Sequence, residues 1–327
     1  MTEQEHKVSQ IHDHFCRAVV SDPVKAAGLI QEQLPITISS CLSPELPTLV
    51  EGSFVDETLR GLLSDRLYQV RILTGQTAFI YVLIDHKSHP DPFVAWQLLK
   101  YIVEIWKQWE RENAKWTQLP PIIPLVLYHG VSQWRIADEF LALVAAEEGW
   151  QQYLLNFQFR VMDLGPIPDQ QLSRHPKLRV CLLAMKYATR DKQQLQAKEL
   201  IIEALLEAPE ELPLVFRYLS ESYPAYDEQV LREIVQRVLP QEEEVMMSQF
   251  AQENVQRGIK IGQQDGERQG ETRMLLRLLH RRFSTLPSWV EKKVLDADLD
   301  ALAEWADRFV NASSLQDIFG DDAQIAH

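Results

Sequence analysis

No apolar run in this sequence approaches the roughly twenty residues that a membrane-spanning helix needs, so no membrane partner is expected. Cysteine is scarce: Cys16, Cys41 and Cys181 are scattered, odd in number and without a metal-ligand spacing. That excludes a disulfide scaffold and a cysteine zinc site, and predicts reduced thiols in a cytosolic protein. The opening MTEQEHKVSQ lacks a basic-then-apolar signal, and a cytoplasmic location is expected. Positive charge is also in deficit, with 33 Lys and Arg against 47 Asp and Glu, a net charge of −14. Such a chain does not attract nucleic acid by its overall field, so any phosphate contact needs a local basic surface. Candidates are Arg66, Arg71, Lys87, Lys100 and Lys107, with the run from Arg273 to Arg282 near the end. The nine histidines form no ligand cluster, and local hydrogen bonding is the reading for His86, His89 and His129.

What remains is a globular composition, 46% hydrophobic and 24% charged, over 327 residues. One stretch organises it, Ser64 to Ser88, SDRLYQVRILTGQTAFIYVLIDHKS. Leu67 to Leu73 alternates as a strand, Thr74-Gly75-Gln76 supplies a turn, and Thr77 to Ile84 is β-branched and aromatic. The run Ala78 to Ile84 reads as a central strand buried on both faces. Asp65 stands at the start of this hairpin, and Asp85 and Lys87 where it runs out. Residues two apart on a strand point the same way, so Asp85 and Lys87 share a side. Charges at the end of a buried strand are costly unless they have a task. Two carboxylates beside a lysine suit Mg²⁺ or Mn²⁺, which prefer oxygen ligands, with the lysine near the water or the phosphate charge. Acid-x-Lys also arises by chance as a surface ion pair; the buried strand and the upstream acid favour the site.

A set of longer motifs carries a resemblance. HDHF at 12–15, SFVDETLRGLLSDRLYQV at 53–70, YVLIDHKSHPDPFVAWQLLKYIVEIW at 81–106, PPIIPLVLYHG at 120–130, Trp134 and FQFRVMDLG at 157–165 run in unbroken order through the first half. As a set they resemble the bacterial recombination-promoting nuclease family, also described as transposases, of the PD-(D/E)XK nuclease superfamily. The departure lies in the strand-end motif, where such proteins commonly carry Glu, and often Gln, and this chain has Asp85 and Lys87; both replacements keep the acid and polar roles. The resemblance implies a metal-dependent DNA endonuclease with Mg²⁺ or Mn²⁺ held by Asp65 and Asp85. Lys87 then positions the hydrolytic water, and the cut ends are 5′-phosphate and 3′-hydroxyl. Asp13, in the HDHF motif, either reaches this site from the opening helix or lies exposed on it. Glu51, an acid close ahead of Asp65, either backs the metal-binding acids or is simply solvated. Asp163 either supports the site or caps the turn before Gly165-Pro166, and Gln97 is a polar candidate on the helix after the hairpin.

Along the chain, residues 4 to 33 read as two helices broken at Ser21-Asp22-Pro23, with Asp22 as cap. Strands follow near 48–55, 65–73, 77–85, 122–128 and 157–162. A long helix after the hairpin is expected to begin at Pro92 behind Asp91, with its orphan N–H groups towards a phosphate. Its apolar stripe, Phe93, Trp96, Leu99, Tyr101, Ile102, Val103, Ile105, Trp106 and Trp109, reads as core and not as a base-stacking platform. The fold class is α/β: a PD-(D/E)XK-type mixed sheet flanked by helices, followed by a mostly helical C-terminal half. The expected division is 1–170 nuclease core, 171–240 helical extension, 241–270 polar linker and 271–327 small helical module. Gly258, Gly262, Gly266 and Gly270 recur every four residues, and a flexible or loosely helical linker is preferred there. The last module is too small to hold much core alone, and docks on the main body or on a second copy. Two other readings stay open: an adaptor that keeps the nuclease fold without catalysis, and a nuclease acting on RNA.

Overall fold

The computed structural model describes residues 3–50, 66–85 and 90–320, and builds five strands into one mixed sheet. These are β1 (Thr48–Leu49), β2 (Arg66–Arg71), β3 (Thr77–Asp85), β4 (Ile122–Tyr128) and β5 (Arg160–Asp163), side by side in that order. β1, β2 and β3 pair antiparallel, whereas β3, β4 and β5 run parallel. The β2–β3 turn needs Gly75, whose φ of 85° lies where side chains are strained; its N–H donates to the Ile72 carbonyl. The first strand was expected over 48–55; β1 is two residues long, and 51–65 lie outside the described residues. The last begins at Arg160, not Phe157, which instead accepts from the Phe140 N–H.

One sheet face is covered by α4 (Val94–Glu112). Val94, Ala95, Leu98, Tyr101 and Ile105 pack there with Leu67, Phe79, Tyr81, Val126, Phe140 and Phe159. Burying each large side chain of this kind stabilises by roughly 1.5–3 kcal/mol. The opposite face receives α1 (Glu3–Ser21), since Tyr68, which alternates with Leu67, donates its hydroxyl to the Val20 carbonyl. Asp22 caps α2 (Pro23–Gln33), its carboxylate accepting from the N–H groups of Val24 and Lys25. Two expectations about α4 need correction. Its first helical residue is Val94; Pro92 sits in a turn whose next N–H, on Phe93, is bound by Asp91. Its apolar stripe is not all core, because Phe93, Trp96 and Val103 are exposed. The reason is angular: Val94, Leu98, Tyr101 and Ile105 lie on one side of the helix and those three on another.

After α3 (Ile36–Ser39) and the strands, the helical extension adds α5 (Pro176–Ala188), α6 (Gln194–Glu207), α7 (Leu212–Ser222) and α8 (Glu228–Val238). It belongs to the same compact unit as the sheet, Met1–Glu243. The Phe15 and Tyr218 rings stack at 3.8 Å, and the Cys16 thiol meets the Met185 sulfur at 3.7 Å. A buried ion pair, Lys25 Nζ to Glu211 Oε2 at 2.6 Å, joins α2 to the turn before α7. Removing one partner of such a pair costs about 3–5 kcal/mol. Burial pushes the thiols of Cys16 and Cys181 well up, so both are inert packing groups.

A second unit, Glu244–His327, has its own core. It contains α9 (Glu243–Phe283, all but its first residue), α10 (Ser288–Leu295), α11 (Leu299–Asn311) and α12 (Leu315–Phe319). Leu275, Leu279, Leu286, Val290, Val294, Leu302, Ile318 and Phe319 form that core. Three arginines close helix ends there: Arg268 donates to Leu295, Arg282 to Phe309 at 2.6 Å and Arg308 to Ile318, each onto a main-chain carbonyl. Arg282, one of the phosphate candidates, is thereby occupied. The glycine repeat does not break the chain, and runs inside a helix of 41 residues. Each Gly costs a helix roughly 1 kcal/mol relative to Ala, but the Gln, Glu, Lys and Arg between them are good formers. Extending a helix already anchored at Leu275 and Leu279 adds a hydrogen bond per residue without a new nucleus.

Candidate active site

Parallel strands end together, and here they bring acids to one edge. The last step of β3–β4 pairing sets Asp85 opposite Tyr128, and the last step of β4–β5 sets Tyr128 opposite Asp163. Asp85 and Asp163 therefore end strands on either side of Tyr128, about 10 Å apart at the main chain for two inter-strand spacings. Open α/β sheets bind ligands at this carboxyl end of their parallel strands. Asp85 contributes its main-chain place in that row. Asp65, Lys87 and Glu51, the other expected site acids and lysine, lie outside the described residues.

Around the row the turns are fixed by named bonds. The Asp163 carboxylate accepts from the Trp134 N–H at 2.9 Å through one oxygen, and from the Gly165 N–H at 2.9 Å through the other. It thus ties the loop after β4 to the turn after β5, as a capping residue does. Arg190, from the turn after α5, donates to Gly130 O at 2.8 Å and to His129 O at 3.3 Å, and also to Lys186 O. Thr189 Oγ1 donates to the same His129 carbonyl at 2.7 Å. Burial lowers the Arg190 pKa, and the nearby Asp163 carboxylate opposes that shift. A Cβ on Gly165 would stand 2.8 Å from Arg190 Nη2 and 3.1 Å from Asp163 Oδ1, so only glycine lets this turn come so close. Residues 189 and 190 were missed by sequence reasoning; sixty residues separate them from the turn they hold, and no local pattern marks that distance.

On the α1 side the two histidine motifs meet. The rings of His12 and His129 lie edge to face with centroids 5.1 Å apart, and His12 Nδ1 is 2.7 Å from the Tyr218 hydroxyl. Both histidines are buried. Asp13 is half-buried beside them and helps raise the Cys16 thiol, whereas His14 is exposed, its Nδ1 2.8 Å from Gln10 O. Gln97 is half-buried in the first turn of α4. Among the described residues no group of three or more His, Cys, Asp or Glu side chains is placed to hold a metal.

The family model for the YhgA-like putative transposases matches residues 10–214, more than half of the chain and the whole of the sheet. This chain belongs to that family. Its relatives include the recombination-promoting nuclease RpnD of Escherichia coli O157:H7, 29% identical over 181 residues, 54% of this chain and 67% of the relative. The recombination-promoting nuclease RpnC of Escherichia coli K12 is 23% identical over 58% of this chain and 62% of its own. The inactive recombination-promoting nuclease-like protein RpnE of the same strain is 24% identical, and spans 90% of this chain and 98% of itself. No solved structure matches. The YhgA-like match ends at residue 214, so it takes in the sheet with α5 and α6 and stops within α7.

Proposed function

We propose that the chain is a metal-dependent DNA endonuclease of the PD-(D/E)XK type, which promotes recombination by hydrolysing phosphodiester bonds. The observation that carries this reading is the row Asp85–Tyr128–Asp163 at the carboxyl edge of three parallel strands, in a chain whose relatives are named nucleases. Asp65 and Asp85 supply the hard carboxylate oxygens that suit Mg²⁺ or Mn²⁺. A metal held by these two carboxylates would supply Lewis-acid polarisation of the phosphoryl oxygen and a more acidic water. Lys87 positions that water and offsets charge on the phosphate. Asp163 and Arg190 act behind them, holding the loops after β4 and β5 in place.

One observation favours a second reading. The relative that aligns over nearly its whole length is named inactive, which fits a nuclease-fold adaptor working through protein contacts. Plasmid nicking separates the two, with purified protein in Mg²⁺, Mn²⁺, Ca²⁺ or EDTA beside Asp85→Ala and Lys87→Ala. Metal-dependent nicking that both variants lose is the expected result. A folded wild type that leaves plasmid intact in every metal supports the adaptor, and equal cutting by all three proteins places the activity elsewhere. An RNA substrate in the same assay tests the choice of nucleic acid.

A further inference from the structure

α4 turns an unusual face to solvent. Phe93, Trp96, Lys100, Val103 and Lys107 are all exposed, and at about 100° per residue they fall within an arc of roughly 80°. The stripe starts at the edge where the candidate site lies, because α4 is the crossover that leaves the end of β3 and returns to the start of β4. Trp96 is steadied on its inner side by the Phe140 ring, 6.5 Å away between centroids, and Phe140 in turn stacks on Phe157. Its outer side is open.

The charge on the stripe is what selects an occupant. Most of the basic candidates in the first half are committed: Arg71 pairs with Glu45, Lys107 with Glu104 at 2.7 Å, and Arg66 bonds Ser21. Among the described residues Lys100 makes no ion pair or side-chain hydrogen bond, about 6 Å along the axis from Trp96. Two exposed aromatic faces followed by a free ammonium give a chain of net charge −14 the local surface that a strand of unpaired nucleotides needs. Bases stack on aromatic rings whatever their identity, and the cation meets the phosphate between them. A duplex, whose bases are already stacked, offers no such faces.

We infer that the Phe93–Trp96–Lys100 stripe is a docking track for single-stranded nucleic acid that feeds the strand-end site. The inference rests on the nuclease reading, and makes unpaired DNA the preferred substrate. Fluorescence anisotropy of a labelled oligothymidine and of a hairpin duplex, with the full chain in EDTA, measures it without cleavage. Oligothymidine should bind more tightly than duplex, and Trp96→Ala should weaken it about tenfold. Trp96→Tyr should restore most of that, and Lys100→Ala should lower the slope of log affinity against log salt by about 0.7. Because these side chains are exposed, unchanged thermal melting of the variants confirms that folding is intact. Equal oligothymidine binding by wild type and Trp96→Ala overturns the track and assigns the stripe to protein contacts. Absent binding at low salt overturns it as well. A wild type that binds through Trp96 yet cleaves neither plasmid nor oligothymidine in any metal removes the nuclease reading and leaves the track standing.

Discussion

Arg190→Met tests whether the helical extension holds the active edge. Methionine keeps an unbranched stem of similar length and removes the donors to Gly130 O, His129 O and Lys186 O. The His129 carbonyl keeps Thr189 as a donor, so the buried Gly130 carbonyl suffers most. A hydrogen bond to a charged group contributes about 1.5–3 kcal/mol. Arg190 is only partly buried, which favours the lower end for each bond, but three carbonyls lose a donor, so the expected loss is about 2–3 kcal/mol. For a unit of this size each kcal/mol lowers the melting temperature by about 2–4 °C, so calorimetry of the full chain should find the first unit's transition roughly 4–12 °C lower. Gly165→Ala pushes a Cβ onto the same guanidinium and should reproduce most of that fall. The double variant should then lose less than the sum, since both act on one bond network. A fall of less than about 2 °C for Arg190→Met, or full additivity with Gly165→Ala, would refute the argument that this arginine staples the edge.

Two further outcomes are expected. Replacing Gly258, Gly262, Gly266 and Gly270 by Ala should stabilise α9 by up to about 1 kcal/mol each, because an added Cβ meets nothing within 4 Å; amide hydrogen exchange along the helix would slow, and unchanged exchange would count against a continuous helix. Burial, with the hydrogen bond to Asp169, pushes the Tyr187 hydroxyl up to about 12. Its folded value lies above the ordinary 10, so its stabilising contribution is complete below pH 10 and is lost as pH rises through about 12. Ultraviolet titration should show this tyrosine ionising late, and Tyr187→Phe should remove that part of the alkaline loss.

The fold was legible where one physical signal dominates. Alternation and the glycine turn placed β2 and β3, the Asp22-Pro23 pair placed the break between α1 and α2, and 171–240 read as helical where α5 to α8 lie. Legibility failed where tertiary partners decide. The apolar stripe of α4 is wider than the core it faces, so Phe93 and Trp96 looked buried and are not. The glycine repeat looked loose because each glycine disfavours a helix locally, whereas the packed segment after it extends one. Of the site, Asp85 stands at a strand end as its sequence context implies. Asp163 left two roles open, and its carboxylate holds two main-chain N–H groups. The Arg190 staple was invisible, since its partners are brought together only by the fold.

The ends of the sheet bear on how the protein avoids self-templating. A long bare edge strand invites another chain to add to it and seeds aggregation. Among the described residues β1 offers only Thr48 and Leu49, and β5 only Arg160 to Asp163. Arg160 further puts a charged side chain on that edge, with its Nε donating to the last helical carbonyl of α2, Gln33. The long apolar strands β3 and β4, which would be hazardous if bare, lie inside, flanked on both sides. The charge of Arg160 is therefore expected to help keep this edge from adding a strand of another chain.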